Sequence, residues 1–191
     1  PMTYIPDDNF EDFLELNGHG NGILGDDSVL TSRIELIDDL YIINHKVYDF
    51  TGLQDFISLT RINLQFEDVQ SVNINNCGSL QFITLNRNKY LESIQINNCP
   101  NLEELYITQH NLNENEIKLN SLSVINCPNL KQFDLYNTKV TNLNLSNYSY
   151  LNIVNIRDNT QLTSLDLSNN TSLSAVKCGD NQLTTLDVSN S

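Results

Sequence analysis

Leu162-Thr-Ser-Leu165-Asp-Leu167-Ser-Asn-Asn170 decides the fold of this chain. It has the form L-x-x-L-x-L-x-x-N, and the form returns along the chain. A fixed-period repeat sets the architecture before any local propensity does. The first apolar position of each unit falls at Ile37, Leu59, Val69, Leu80, Leu91, Leu102, Leu119, Leu130, Val140, Leu151, Leu162, Leu173 and Leu183. Most spacings after Leu59 are 10 or 11 residues, too short for a full solenoid coil, so two units make one turn. Alternate units define an A series (Ile37, Leu59, Leu80, Leu102, Leu130, Leu151, Leu173) with spacings of 22, 21, 22, 28, 21 and 22, and a B series between them.

Within a unit the apolar residues alternate and share one face of a strand. Leu165 and Leu167 face in; Ser164, Asp166 and Ser168 face out. One unit cannot bury its apolar face alone, but coils stacked about 4.8 Å apart lay each leucine row on the next. The expected fold is an α/β solenoid, mostly β: a right-handed coil of about seven 21–22-residue turns with parallel strands on both flanks. The ninth position is His45, Glu67, Cys77, Asn88, Cys99, His110, Cys127, Thr138, Tyr148, Asn159, Asn170, Asn181 and Ser191. A chain turning off a strand leaves backbone groups unpaired inside the coil, and Asn offers both donor and acceptor to them. A second Asn column lies one residue earlier in the B series, at 76, 98, 126, 147, 169 and 190.

The thirteen-fold L-x-x-L-x-L-x-x-N/C pattern, from Ile37 to the end of the chain, resembles the leucine-rich repeat family. The short coil is similar to the bacterial subclass with strand-like flanks. Leu173 to Val188 resembles repeats of secreted and surface proteins of Bacteroidetes, and Val47 to Leu59 looks internalin-like. In that first coil apolar residues recur every three (Val47, Phe50, Leu53, Phe56, Leu59), which predicts a 3₁₀ or short helical back and puts the A series on the concave sheet. The resemblance implies a bacterial, secreted or cell-surface protein.

Residues 1–36 read as an N-terminal helical cap, and 37–191 as one continuous solenoid with the C-terminal cap absent. Asp7 or Asp8 can cap a helix after Pro6, with Phe10, Phe13 and Leu14 on one face and Asn17-Gly18 ending it. Four cysteines suggest disulfides, but three of them (Cys77, Cys99, Cys127) form one column with parallel side chains, so reduced thiols are expected. Asn17 to Ser28 roughly follows the spacing of an EF-hand loop without its acidic first and last residues. Asn17, Asn21, Asp26 and Asp27 are weak Ca²⁺ candidates, and no other cofactor is expected.

With 24 Asp and Glu against 10 Lys and Arg, the formal charge is −14. That disfavours nucleic acid and anionic membranes, which need clustered cations, and no apolar run is long enough for membrane insertion. Among outward residues the B series is small, polar and monotonous. The A series instead carries aromatics and charges, with Phe82, Tyr106, Asp134, Tyr136, Ile153 and Arg157 expected near the middle of the sheet. Tyr and Arg are interface anchors. The reading is a non-enzymatic recognition module that binds a protein partner through the concave sheet. The alternatives are a glycan-binding module and a structural stalk without its own ligand. A monomer or a weak edge-mediated dimer is expected. No catalytic constellation is visible: His45 and His110 fall on the flank opposite the cysteine column.

Overall fold

A computed structural model describes residues 1–191. The A series forms one parallel sheet of seven strands: β3 (Asp39–Ile43), β4 (Arg61–Gln65), β6 (Phe82–Asn86), β8 (Glu104–Thr108), β10 (Gln132–Tyr136), β12 (Ile153–Arg157) and β14 (Ala175–Lys177). Each strand pairs in register with the next coil, so Ile62, Ile83, Leu105, Phe133 and Val154 make one inward row and Leu64, Leu85, Ile107, Leu135 and Ile156 the next. These inward residues are fully buried. At roughly 1.5–3 kcal/mol for each buried large side chain, the stacked rows hold the coils together.

The B series divides. β5 (Ser71–Asn75), β7 (Ser93–Asn97) and β9 (Ser121–Ile125) form one three-stranded parallel sheet; β11 (Asn142–Asn144), β13 (Ser164–Asp166) and β15 (Thr185–Asp187) form another. Parallel strands on both flanks are therefore present, but the second flank is interrupted after the 28-residue coil.

The chain's start closes the first coil. β1 (Met2–Tyr4) pairs antiparallel with β2 (Ser28–Leu30), an element the periodicity did not announce. α1 (Asp8–Leu16) and the short α2 (Thr31–Ile34) complete it. Asp7 is the cap: one carboxylate oxygen accepts from the Phe10 N–H at 2.9 Å, and the other accepts from the Tyr48 and Asp49 N–H groups at 2.7 and 3.0 Å. One side chain thus starts the helix and ties it to the coil. Phe10 meets Phe50 edge-on at 5.3 Å and stacks on Phe56 at 6.1 Å. The back of that coil is a 3₁₀ turn only at Leu53–Asp55. Gly52 precedes it at φ +105°, where a Cβ would lie 2.4 Å from Ile5, so both backbone conformation and cap packing require glycine.

The ladder works as expected at most ninth positions. Asn159 accepts from the Thr138 N–H at 3.0 Å and donates to the Leu135 and Arg157 carbonyls. Asn170 accepts from Tyr148 N–H and donates to Leu145 C=O. Glu67 does the same work with a buried carboxylate, accepting from His45 and Val47 N–H at 3.1 and 2.8 Å. Two ladder expectations fail. His45 turns outward against Phe13, at 4.9 Å. His110 is exposed, and Gln109 occupies the buried position in its place. The extra residues of the 28-residue coil are inserted here, so the chain leaves the strand without the left-handed residue that the other corners use and the register slips by one. The Gln109 side-chain amide finds no partner on either atom.

Candidate functional site

The outward face of the seven-stranded sheet has three rows. Phe82 lies in the row Arg61, Phe82, Glu104, Gln132, Ile153; Tyr106 and Asp134 are direct neighbours in the middle row; Tyr136 and Arg157 are direct neighbours in the third. The six residues singled out from the sequence thus come from four adjacent strands, β6, β8, β10 and β12. They do not form one knot: Glu104 and Gln132 stand between Phe82 and Ile153.

Local contacts orient the aromatic residues. The Arg61 guanidinium sits 4.9 Å from the Phe82 ring centre. Tyr106 donates its hydroxyl to Glu104 at 2.6 Å. Burial, reinforced by that carboxylate, pushes its phenol well above the usual value, so it remains a hydrogen-bond donor at any physiological pH. Asp134 accepts from Asn155 at 2.9 Å and from Gln132 at 3.2 Å. Tyr136 lies against His110, ring centres 4.1 Å apart, and its phenol is also raised, first through hydrogen bonding with Asp158. His110, missed as a surface residue by the repeat register, extends this patch from the insertion, which leaves the same edge of the sheet.

The corners of the coil give an independent contrast. Both flanks turn through residues with positive φ. On the B flank all six are Asn: 76, 98, 126, 147, 169 and 190. Asn accepts this left-handed conformation more readily than other non-glycine residues. On the A flank the same conformation is held by Asn44, Phe66, Arg87, Asn137, Asp158 and Asp180. A bulky aromatic such as Phe66 is disfavoured there by about 1–2 kcal/mol. Phe66 and Arg87 stack on each other, 5.3 Å from guanidinium to ring centre, in the open.

The acidic loop is arranged differently from the spacing read in the sequence. Asn17 donates to the Phe13 carbonyl at 2.7 Å and Asn21 donates to both oxygens of Asp26 at 3.2 and 3.0 Å. Asp26 also accepts from the Ser28 N–H and hydroxyl. The group that comes together is Asp27 with Asp8 and Glu11 from α1, one oxygen of each within 4.8 Å of the others. Asp8 was legible as a helix-cap candidate, but its meeting with Glu11 and Asp27 needs the loop to fold back. Burial lifts the Glu11 carboxyl above its ordinary value, although it accepts from the Asp26 and Asp27 N–H groups.

The four cysteines are free thiols. Cys77, Cys99 and Cys127 stand in one column, each Sγ 3.4–3.6 Å from the carbonyl two residues earlier. Cys178 packs, half-buried, on the other side of the core. His45 and His110 pack on Phe13 and Tyr136.

No family model matches the chain, and no curated protein matches it. Among solved structures it is similar to the functional domain of InlJ from Listeria monocytogenes, described as including a cysteine ladder: 20% identity, 98% of this chain and 54% of that one, TM-score 0.36. It is also similar to the internalin InlF of Listeria monocytogenes strain 4b F2365: 17% identity, 97% of this chain and 76% of that one, TM-score 0.37. The chain spans about half the length of the InlJ domain. Its assignment as a leucine-rich repeat solenoid rests on its own repeat and strand register, and the likeness to Bacteroidetes repeats stands on the sequence alone. No helix is long and apolar enough to cross a membrane.

Proposed function

We propose that the protein is a recognition module that binds a protein partner through the outward face of the seven-stranded sheet, at the cell surface or in the secreted fraction. One observation carries the reading. The two flanks share one coil and one set of backbone constraints, yet only the A flank carries outward strand aromatics and left-handed corners other than Asn. Its outward rows hold Phe82, Tyr106, Asp134, Tyr136, Ile153 and Arg157, and its corners hold Phe66 and Arg87 in a conformation that Asn adopts with less strain. Strain and aromatic side chains kept at a surface point to selection for contact. The setting outside the cell rests on the repeat's resemblance to surface proteins. The reading needs no catalytic step; it asks the face only to present shape, a fixed phenol donor at Tyr106 and a carboxylate at Asp134.

The test is binding to arrayed extracellular proteins and glycans, with the Tyr106→Ala/Tyr136→Ala double variant alongside, each in Ca²⁺ and in EDTA. A protein hit weakened at least tenfold by the double variant is expected. A hit only on glycans would replace the partner class while keeping the face. A hit unaffected by the variant would move the site elsewhere. Loss in EDTA alone would direct attention to Asp8, Glu11 and Asp27.

A further inference from the structure

The second flank has a gap, and the gap has a chemistry. β9 and β11 belong to consecutive coils, and their A-flank counterparts β8 and β10 pair along five residues. The coils still touch where Lys139 N–H donates to Leu119 C=O at 2.7 Å. Beyond that point they part. Elsewhere on this flank Thr163 N–H bonds to Thr141 C=O, Leu145 N–H to Asp166 C=O, and Asn147 N–H to Ser168 C=O. The corresponding bonds from Thr141 to Asn120, from Val124 to Asn144 and from Asn126 to Ser146 are not formed. The surface Asn column breaks at the same place: Asn126 donates to Asn98 and Asn169 to Asn147, but Asn147 turns to Ser146.

The cause lies in the ladder. Its other buried members on this flank are Cys and Asn, and here it holds Tyr148. A phenol does not fit a column of repeat about 4.8 Å. The ring lies between the coils and its hydroxyl donates to Val124 C=O at 2.8 Å, taking an acceptor that a neighbouring strand would use. The result is a cleft of about 840 Å³ lined by both strands. Leu122 and Val124, whose counterparts Ile94 and Ile96 are fully buried in the closed part of the flank, are only partly buried here. By the alternation of a parallel pair, the N–H and C=O groups of Leu122 and Val124 face this opening. Asp166, which lines it too, is its only charged residue and has no ion-pair partner.

From this geometry we infer that the cleft is a second binding site, distinct from the seven-stranded face, for an extended cationic peptide segment of a partner protein. The segment adds a strand to the open edge of β9. Its backbone pairs with Leu122 and with the N–H groups of Val124 and Asn126, the Val124 carbonyl being held by Tyr148. Apolar side chains at alternate positions cover Leu122, Val124 and the Tyr148 ring, and a Lys or Arg between them meets Asp166. Strand addition of this kind takes affinity from main-chain bonds and specificity from alternate side chains. Charge decides between extended segments: the outward strand residues of this flank carry no cation, and the whole chain is at −14.

The probe is a capped hexapeptide of alternating valine and lysine, titrated by calorimetry against the full chain. One site is expected, with slowed exchange of the Val124 and Asn126 amides on binding. The same peptide N-methylated on alternate backbone nitrogens should bind at least tenfold more weakly, as should the valine–glutamate version. Tyr148→Asn, which puts at this position the residue that joins the next pair of coils, should close the cleft and abolish binding with the circular dichroism spectrum retained. Asp166→Asn should reduce the preference for lysine over glutamate and leave the fold intact. The Tyr106→Ala/Tyr136→Ala variant should bind the peptide normally, which separates this site from the proposed partner face. Absence of binding to the folded chain, equal binding of the N-methylated peptide, or unchanged binding by Tyr148→Asn would each overturn the assignment.

Discussion

The two halves of the B flank are built from the same leucine rows and end their strands differently. In β5, β7 and β9 the strand runs five residues and closes on a cysteine: Asn-Asn-Cys77, Asn-Asn-Cys99, Ile-Asn-Cys127. In β11, β13 and β15 it runs three. There Asn144, Asp166 and Asp187 accept from the N–H two residues on, at 2.9, 2.9 and 2.8 Å, and turn the chain early. This is a side chain competing with the strand ladder for its own backbone. The first half fills its column with thiols, which pack as small apolar groups. The second, past Tyr148, fills it with Asn170 and Ser191, whose side chains donate to the Leu145 and Leu167 carbonyls of the coil before. Two ways of closing one coil meet at Tyr148, and neither continues across it.

The largest effect expected from this contrast is in the core. Ile94→Ala, in a fully buried row of the first half, should cost about 2–5 kcal/mol in denaturant unfolding. Leu122→Ala occupies the equivalent row one coil later, beside the cleft, and should cost less than half as much. Equal losses would mean that the cleft is closed in solution. Next comes the ladder. Asn170→Ala leaves the Tyr148 N–H and the Leu145 carbonyl without their partner, at about 1–3 kcal/mol for each buried group. Cys99→Ala should cost only about 1 kcal/mol, the order of one buried methylene-sized group. A thiol loss as large as the Asn loss would erase the distinction between the two columns.

A smaller effect, and one of opposite sign, is expected of Tyr148→Asn. Amide exchange at Val124 and Asn126 should slow by about tenfold or more as the two halves join into one sheet. No change would show that the long coil, rather than the ring, holds them apart. The smallest expected difference is in thiol labelling. Half-buried Cys178 should react with iodoacetamide in the native protein, while Cys99 and Cys127, at 0% and 1% exposure, should react only after unfolding. Early labelling of Cys127 would mark a cleft that opens further than the structure shows.

Much of the molecule was legible without coordinates. The strand rows, the coil length, the cap helix with Phe10 and Leu14 inward, and the six outward residues on adjacent strands all follow from periods of 2, 3.6 and about 22, which are local properties of the chain. The reading went wrong where a local register met a neighbour. His110 falls at a ladder position by count, but the insertion shifts the chain and Gln109 is buried instead. Asn17 and Asn21 follow a loop spacing, but Asn17 bonds back to the Phe13 carbonyl of the helix, Asn21 is held by Asp26, and Asp27 meets Asp8 and Glu11. The second flank read as one monotonous polar sheet because each unit taken singly is regular.

The sequence by itself determined the solenoid, since burying a repeated apolar face leaves few solutions other than stacking it on its own copy. Only the tertiary structure decided that the second flank is two sheets. Whether adjacent coils pair depends on what stands between them, and Tyr148 is an ordinary apolar ninth residue until its ring has to share a column with Cys127 and Asn170.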